Sequence, residues 1–147
     1  MFNKKYPTNK IGKIIYYFRL IRLHNIAIAC LTILLSAYLV NIYQWNQIII
    51  CMMLTIFSMS FANSMNDILD INSDKGNHPH RVLIRNLISK REAQLVCLLS
   101  FFISIIISFF LKSVEAKIFF YSILLALTKN NIFLKKFAIC GNIIISL

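Results

Sequence analysis

Three of the chain's five carboxylates, Asp67, Asp70 and Asp74, fall within one short stretch, NSMNDILDINSDKGNHPHR, directly after a long apolar segment. At roughly 100° per residue, positions i, i+3 and i+7 share one edge of a helix, and Asn63, one turn earlier, falls within the same arc of about 60°. The spacing predicts a ridge of oxygen-bearing side chains. From Asp67 to Asp74 it is about 10 Å long at 1.5 Å rise per residue, which suits divalent cations bridged by a diphosphate better than one caged ion. Mg²⁺ in particular takes few carboxylates and completes its octahedron with phosphate oxygens and water. Arg81, Lys75 and Lys135 are the nearby cations able to clamp the outer oxygens of such a head group.

Two other metal readings fit less well. Asp70, Asn72 and Asp74 match the opening alternation of a calcium-binding EF-hand loop, but Lys75 stands where that loop needs glycine and Arg81 where it needs a bidentate glutamate. His78 and His80 flank Pro79 and read as turn residues before they read as a chelating pair. The plainest alternative for the acids is a solvated helix face. Against it, only Glu92 and Glu115 among the carboxylates lie elsewhere, and charges gathered where an apolar span ends are costly unless they face a cavity or partner.

The elements that must hold this ridge are membrane spans. The 147 residues are 59% hydrophobic with mean hydropathy +0.71, three Gly and two Pro, too apolar for an ordinary soluble domain. Residues 23–40, 48–65, 95–111 and 118–127 with its flanks form four apolar stretches, and Phe137 to Leu147 begins a fifth that covers about half a bilayer. The expected fold is therefore an all-α multipass bundle of four spans and a partial fifth. Residues 1–22, basic and partly amphipathic, predict a surface-lying approach helix with no removable signal peptide. Tyr43 and Trp45 sit as interfacial aromatics in the link between the first two spans.

Orientation follows from charge. Lys4, Lys5, Lys10, Lys13, Arg19 and Arg22 precede span one; Lys75, Arg81, Arg85, Lys90 and Arg91 follow span two; Lys129, Lys135 and Lys136 follow span four. Only Lys112 and Lys117 lie on the other side. The positive-inside rule places the N-terminus and the acidic ridge in the cytoplasm of a cell whose plasma membrane holds the chain. The net charge of +11 is thus a topology signal, and no nucleic-acid partner is expected. Cys30, Cys51, Cys97 and Cys140 lie inside apolar stretches without CxxC spacing, so they read as small hydrophobes. Gly76, Asn77 and Pro79 close the acidic helix.

Asn63, Asn66, Asp67, Asp70 and Asp74 resemble the NxxNDxxDxxxD motif of the UbiA-type intramembrane prenyltransferases, at the cytoplasmic end of the second span where that family carries it. Arg22 and Asn25 resemble its RPxN, NHPHR its NxPxR, Ser89 to Ala93 the approach to span three, and Leu134 to Lys136 with Gly141 and Asn142 the lead into span five. The nearest likeness is to the branch that makes digeranylgeranylglyceryl phosphate. The resemblance implies Mg²⁺-dependent transfer of a prenyl group from an allylic diphosphate to a small polar or aromatic acceptor. Asp67, Asp70 and Asp74 would then carry metal, Asn63 would orient it, Asn25 and Asn66 would line the cavity, and Arg81 and Lys135 would contact diphosphate.

There are departures from the family pattern. Leu23 and Val82 replace prolines, Arg85-Asn86 replaces a Ser-Gly turn, and Asn130-Asn131 stand where Tyr-Ser is usual. The likeness covers only the front half of the family, whose second acidic motif has no counterpart here. The expected assignment of residues 1–147 is the N-terminal half of a prenyltransferase domain, completed by a second chain or a C-terminal half. The rival is a truncated, non-catalytic copy or a subunit that binds prenyl diphosphate without turning it over. A small cation channel ranks below both, because amides, acids and arginines together suit a head group better than a path. The aromatics Tyr16, Phe57 and Phe61 are assigned no chemical role.

Overall fold

The computed structural model describes residues 10–41 and 43–129 and is all-helical over that range. In chain order the helices are α1 (Lys10–Ile21), α2 (Leu23–Leu39), α3 (Trp45–Leu69), α4 (Ile71–Asn77), α5 (Lys90–Ser108) and α6 (Val114–Lys129). α3 and α5 are long and apolar enough to cross a bilayer. α1 and α2 together make a third candidate, bent by 56° at Arg22. α6, with 16 residues, reaches about 24 Å, so the expected fourth span is short of a full hydrocarbon thickness within the described residues. The stretch expected to begin a fifth span lies outside them.

α3 and α5 form the main packed pair. The buried residues of the pair include many small ones: Ser60 and Ser64 on α3, and Ala93, Ser100, Ser104 and Ser108 on α5. Those spacings of four and seven keep one face of each helix small, which lets the backbones approach closely where lipid gives no hydrophobic incentive to associate. Ser104 and Ser108 return their hydroxyls to the carbonyls of Phe101 and Ile105. Ser64 Oγ has no hydrogen-bond partner among the described residues, so at that position size, not polarity, is in use. The rings of Phe61 and Phe101 pack beside this seam, 5.1 Å between centroids.

Among the described residues much of the remaining helix surface is exposed. Ile26 is the one residue buried on α2 and Leu124 the one on α6, while Leu31, Leu35, Tyr38, Leu98, Phe102, Phe119 and Leu125 are exposed. An aqueous protein does not display apolar surface on this scale; lipid does not penalise it. Cys30, Cys51 and Cys97 are free, partly exposed thiols, and Cys140 lies outside the described residues.

The largest cluster of buried side chains sits at the acidic end of α3. Leu20 of α1, Val82, Leu83 and Ile88 of the loop after α4, and Ala93 of α5 pack together, with Tyr16, Tyr17, Ile68 and Ile71 against them. α5 starts earlier than the apolar stretch alone predicts because Ser89 and Glu92 form a capping box: Glu92 N–H donates to Ser89 Oγ and Ser89 N–H to Glu92 Oε2. Lys13 of α1 pairs with the same Glu92, tying the approach helix to the head of α5. The cluster thus pins α1 and the 82–88 loop onto the end of α3.

Candidate functional site

The predicted acidic ridge is present, with one change. α3 ends at Leu69 and α4 begins at Ile71, so Asp70 is a junction between two helices rather than mid-helix. The i→i+4 bonds nevertheless run on, Asp70 N–H to Asn66 O at 3.0 Å and Asp74 N–H to Asp70 O at 2.8 Å, which keeps the three acids on one edge. α4 closes at Asn77, with His78 N–H donating to Asp74 O.

This edge is not a solvated face. Asp67 is 5% exposed and Asp74 4%. Ser60, Ser64 and Asp67 follow each other at spacings of four and three along the packed side of α3, so the ridge prolongs the buried seam. Burial of carboxylates demands compensating cations, and two arginines supply them. Asp67 Oδ1 accepts from Arg22 Nη2 at 3.0 Å and lies 3.3 Å from Arg81 Nη1. The same Arg81 Nη1 is 3.9 Å from Asp70 Oδ2 and bonds Asp74 Oδ2. Three carboxylates therefore converge on one cationic centre.

Local packing explains how the arginines get there. Val82 and Leu83, next to Arg81, are buried in the cluster, and so is Leu20, two residues before Arg22. Arg22 is itself left-handed, φ 57° and ψ 57°, and makes the bend between α1 and α2. A proline at 23 would bias residue 22 toward extended backbone; Leu23 leaves it free to take the bend. Val82, where the family has proline, contributes core volume. Asn86 replaces the glycine of the family's turn at φ 53°, a conformation asparagine tolerates.

The other expected site residues divide. Asn63 donates from Nδ2 to Ile21 O at 2.8 Å, stapling the bend rather than pointing its amide nitrogen at the acids. Asn66 is half-buried beside Asp67. Asn25 is exposed in the first turn of α2 and is outside the wall of the cavity next to Asp67. Lys75 is exposed on α4. Lys135 lies outside the described residues. Phe61 and Tyr16 have packing roles, against Phe101 and the buried cluster.

Sequence reasoning undervalued four residues. A cavity of about 310 Å³ adjoins Asp67, and Arg19, Arg22, His78 and His80 all stand in its wall with Arg81. Arg19 entered only as a topology charge, Arg22 as a topology charge and through the motif likeness, and the histidines as turn residues within NHPHR. The available signal was the coincidence of an arginine pair before span one with a second cationic segment after span two.

The donors suit Mg²⁺: they are hard carboxylate oxygens already gathered about a positive charge. Among the described residues no three His, Cys, Asp or Glu side chains stand close enough to enclose an ion by themselves. The two observations agree if the edge supplies only part of a coordination sphere, as a metal-diphosphate site requires.

Residues 22–147 match the model of the UbiA prenyltransferase family. The chain belongs to that family. Two digeranylgeranylglyceryl phosphate synthases are similar to this UbiA family member: that of Methanococcus aeolicus, 31% identical over 137 residues, and that of Methanococcus maripaludis, 34% identical over 101 residues. The first alignment takes in 91% of this chain and 48% of the relative, the second 64% and 35%. The chain thus spans about half the length, or less, of the curated relatives it matches. No solved structure matches it.

Proposed function

We propose that this chain forms the prenyl-diphosphate-binding half of an intramembrane prenyltransferase, which moves an isoprenoid chain from an allylic diphosphate to a small polar or aromatic acceptor. The observation that carries the reading is the convergence of Asp67, Asp70 and Asp74 about Arg81 at the end of a span-length helix. In this proposal Asp67, Asp70 and Asp74 hold Mg²⁺, and the metal supplies neutralisation of charge on the departing diphosphate. Arg81 contacts its outer oxygens, and Arg22 holds the Asp67 carboxylate in place. The buried seam beneath keeps water from the ridge.

The proposal places residues 1–147 as the N-terminal half of the domain, in the cell membrane with the N-terminus cytoplasmic. A second helical half, in the same polypeptide or in a partner chain, provides the facing wall. Among the described residues α2 and α6 each bury a single side chain, which supports that requirement. The experiment is retention of a radiolabelled prenyl diphosphate by the detergent-solubilised chain. Retention is expected with Mg²⁺, and neither with chelator nor for the matching prenyl alcohol; equal retention of diphosphate and alcohol would contradict the proposal.

A further inference from the structure

Among α1, α2, α3, α5 and α6, α1 is the most amphipathic. Its inner face is packed: Leu20 is fully buried, Tyr16 and Tyr17 lie against the same cluster, and Lys13 pairs with Glu92. Its outer face is open among the described residues. Ile14, Ile15 and Phe18, all about half exposed, fall within an arc of about 100°, with exposed Arg19 at its margin. An apolar strip bordered by a cation suits the boundary between acyl chains and head groups, where both kinds of side chain find a suitable solvent.

α1 sits at that boundary. It packs on the acidic end of α3 and pairs with Glu92 in the first turn of α5, so it lies level with the ends of the two bilayer-length helices, and its axis leaves that of α2 by 56°. From Lys13 to Glu92 the chain holds eight lysines and arginines and four carboxylates, all at this end, so an excess of four positive charges remains with the acidic ridge fully counted. Arg19 on α1, Arg85 in the loop it packs on and Lys90 at the head of α5 are exposed. None of the three stands within ion-pair distance of a carboxylate among the described residues. Topology calls for cations on this side of a membrane, but it does not call for an apolar strip among them.

We propose that the outer face of α1 is a docking surface for the anionic phospholipids of the bilayer. Ile14, Ile15 and Phe18 enter the acyl boundary, while Arg19, Arg85 and Lys90 draw phosphate head groups to it. The surface is independent of the prenyl-transfer reading, since none of its apolar residues belongs to the acidic edge. Seating α1 in this layer also holds the bend at Arg22 in the plane of the head groups, because Arg22 directly follows the last turn of α1.

The test uses the full chain with its single tryptophan moved to the strip, Phe18→Trp with Trp45→Phe, in nanodiscs that mix phosphatidylcholine and phosphatidylglycerol. Brominating one lipid and then the other turns quenching of the indole into a relative association constant of the two lipids beside residue 18. Phosphatidylglycerol is expected to be preferred about fivefold or more, one lysine or arginine near an anionic surface being equivalent to about fivefold. Raising the salt concentration should lower the preference. Adding Arg19→Gln, Arg85→Gln and Lys90→Gln together, all at exposed positions, should bring it close to one with helical content retained. Quenching by both lipids alike before those substitutions, or a preference that neither salt nor the triple substitution reduces, would overturn the docking surface. Absence of quenching by either lipid would overturn it too, and would place a protein partner on this face.

Discussion

Arg22 donates a hydrogen bond from Nη2 to Oδ1 of Asp67 at 3.0 Å, joining the bend before the first apolar helix to the acidic end of the second. The bond closes a separation of 45 residues and needs Arg22 in left-handed backbone. Two requirements thus meet in one residue: a conformation that non-glycine residues seldom adopt, and a charge for a carboxylate that is 5% exposed.

Arg22→Asn separates those requirements, because asparagine accepts the left-handed region and lacks the charge. The variant is expected to keep the helical content of the parent and lose about 1–3 kcal/mol of stability through the under-compensated Asp67. Its Mg²⁺-dependent pyrophosphate affinity should fall roughly tenfold. Circular dichroism, thermal unfolding in detergent and pyrophosphate titration check the three parts.

Asn63 offers a choice between two roles. The resemblance implies that it orients metal, while its Nδ2 donates to Ile21 O at 2.8 Å. Asn63→Asp removes that donor and sets a carboxylate against a carbonyl, so the bend should weaken by about 1–3 kcal/mol. If the side chain served the metal instead, the added carboxylate would raise Mg²⁺ affinity and spare the thermal midpoint. Parallel unfolding and metal titrations distinguish the outcomes; the bend role predicts a lowered midpoint.

Ser64 tests the seam. Its hydroxyl is buried and unpartnered among the described residues, so Ser64→Ala should be neutral or stabilising by up to about 1 kcal/mol. Ser64→Leu should cost about 1–3 kcal/mol by overpacking α3 against α5, and should shift Asp67 one turn away. Detergent unfolding curves of both variants read the difference.

The acidic ridge was legible because a period of 3.6 and three aspartates suffice to define an edge, and Gly76, Asn77 and Pro79 do mark where its helix stops. The apolar stretches gave α2 nearly end to end, and the cores of α3, α5 and α6 but not their ends. α5 begins at Lys90 because a capping box holds its first turn, so charged Lys90, Arg91 and Glu92 join an otherwise apolar helix. The boundary at Arg22 was legible, since the basic approach ends there and the apolar span starts at Leu23, but its left-handed backbone was not, because no glycine or proline marks it. Nor was the burial of Asp67 and Asp74. Serines at 60 and 64 look polar in sequence; only their burial in the fold shows that the acids continue a buried face. The cavity wall was hidden for a further reason, because Arg19 and His80 lie far apart in sequence and meet only through the folding of α1 onto the 78–88 turn.

The account stands on Asp67 and Asp70 as the metal-bearing pair of the ridge. Its most direct test is equilibrium binding of a prenyl diphosphate to the purified chain, with Mg²⁺ and with chelator, for the parent, Asp67→Ala and Asp70→Ala. The parent should bind about tenfold or more tightly with Mg²⁺, and each variant should lose that difference while retaining its helical content. A variant that kept the full Mg²⁺ dependence of the parent would contradict the assignment of metal to this edge.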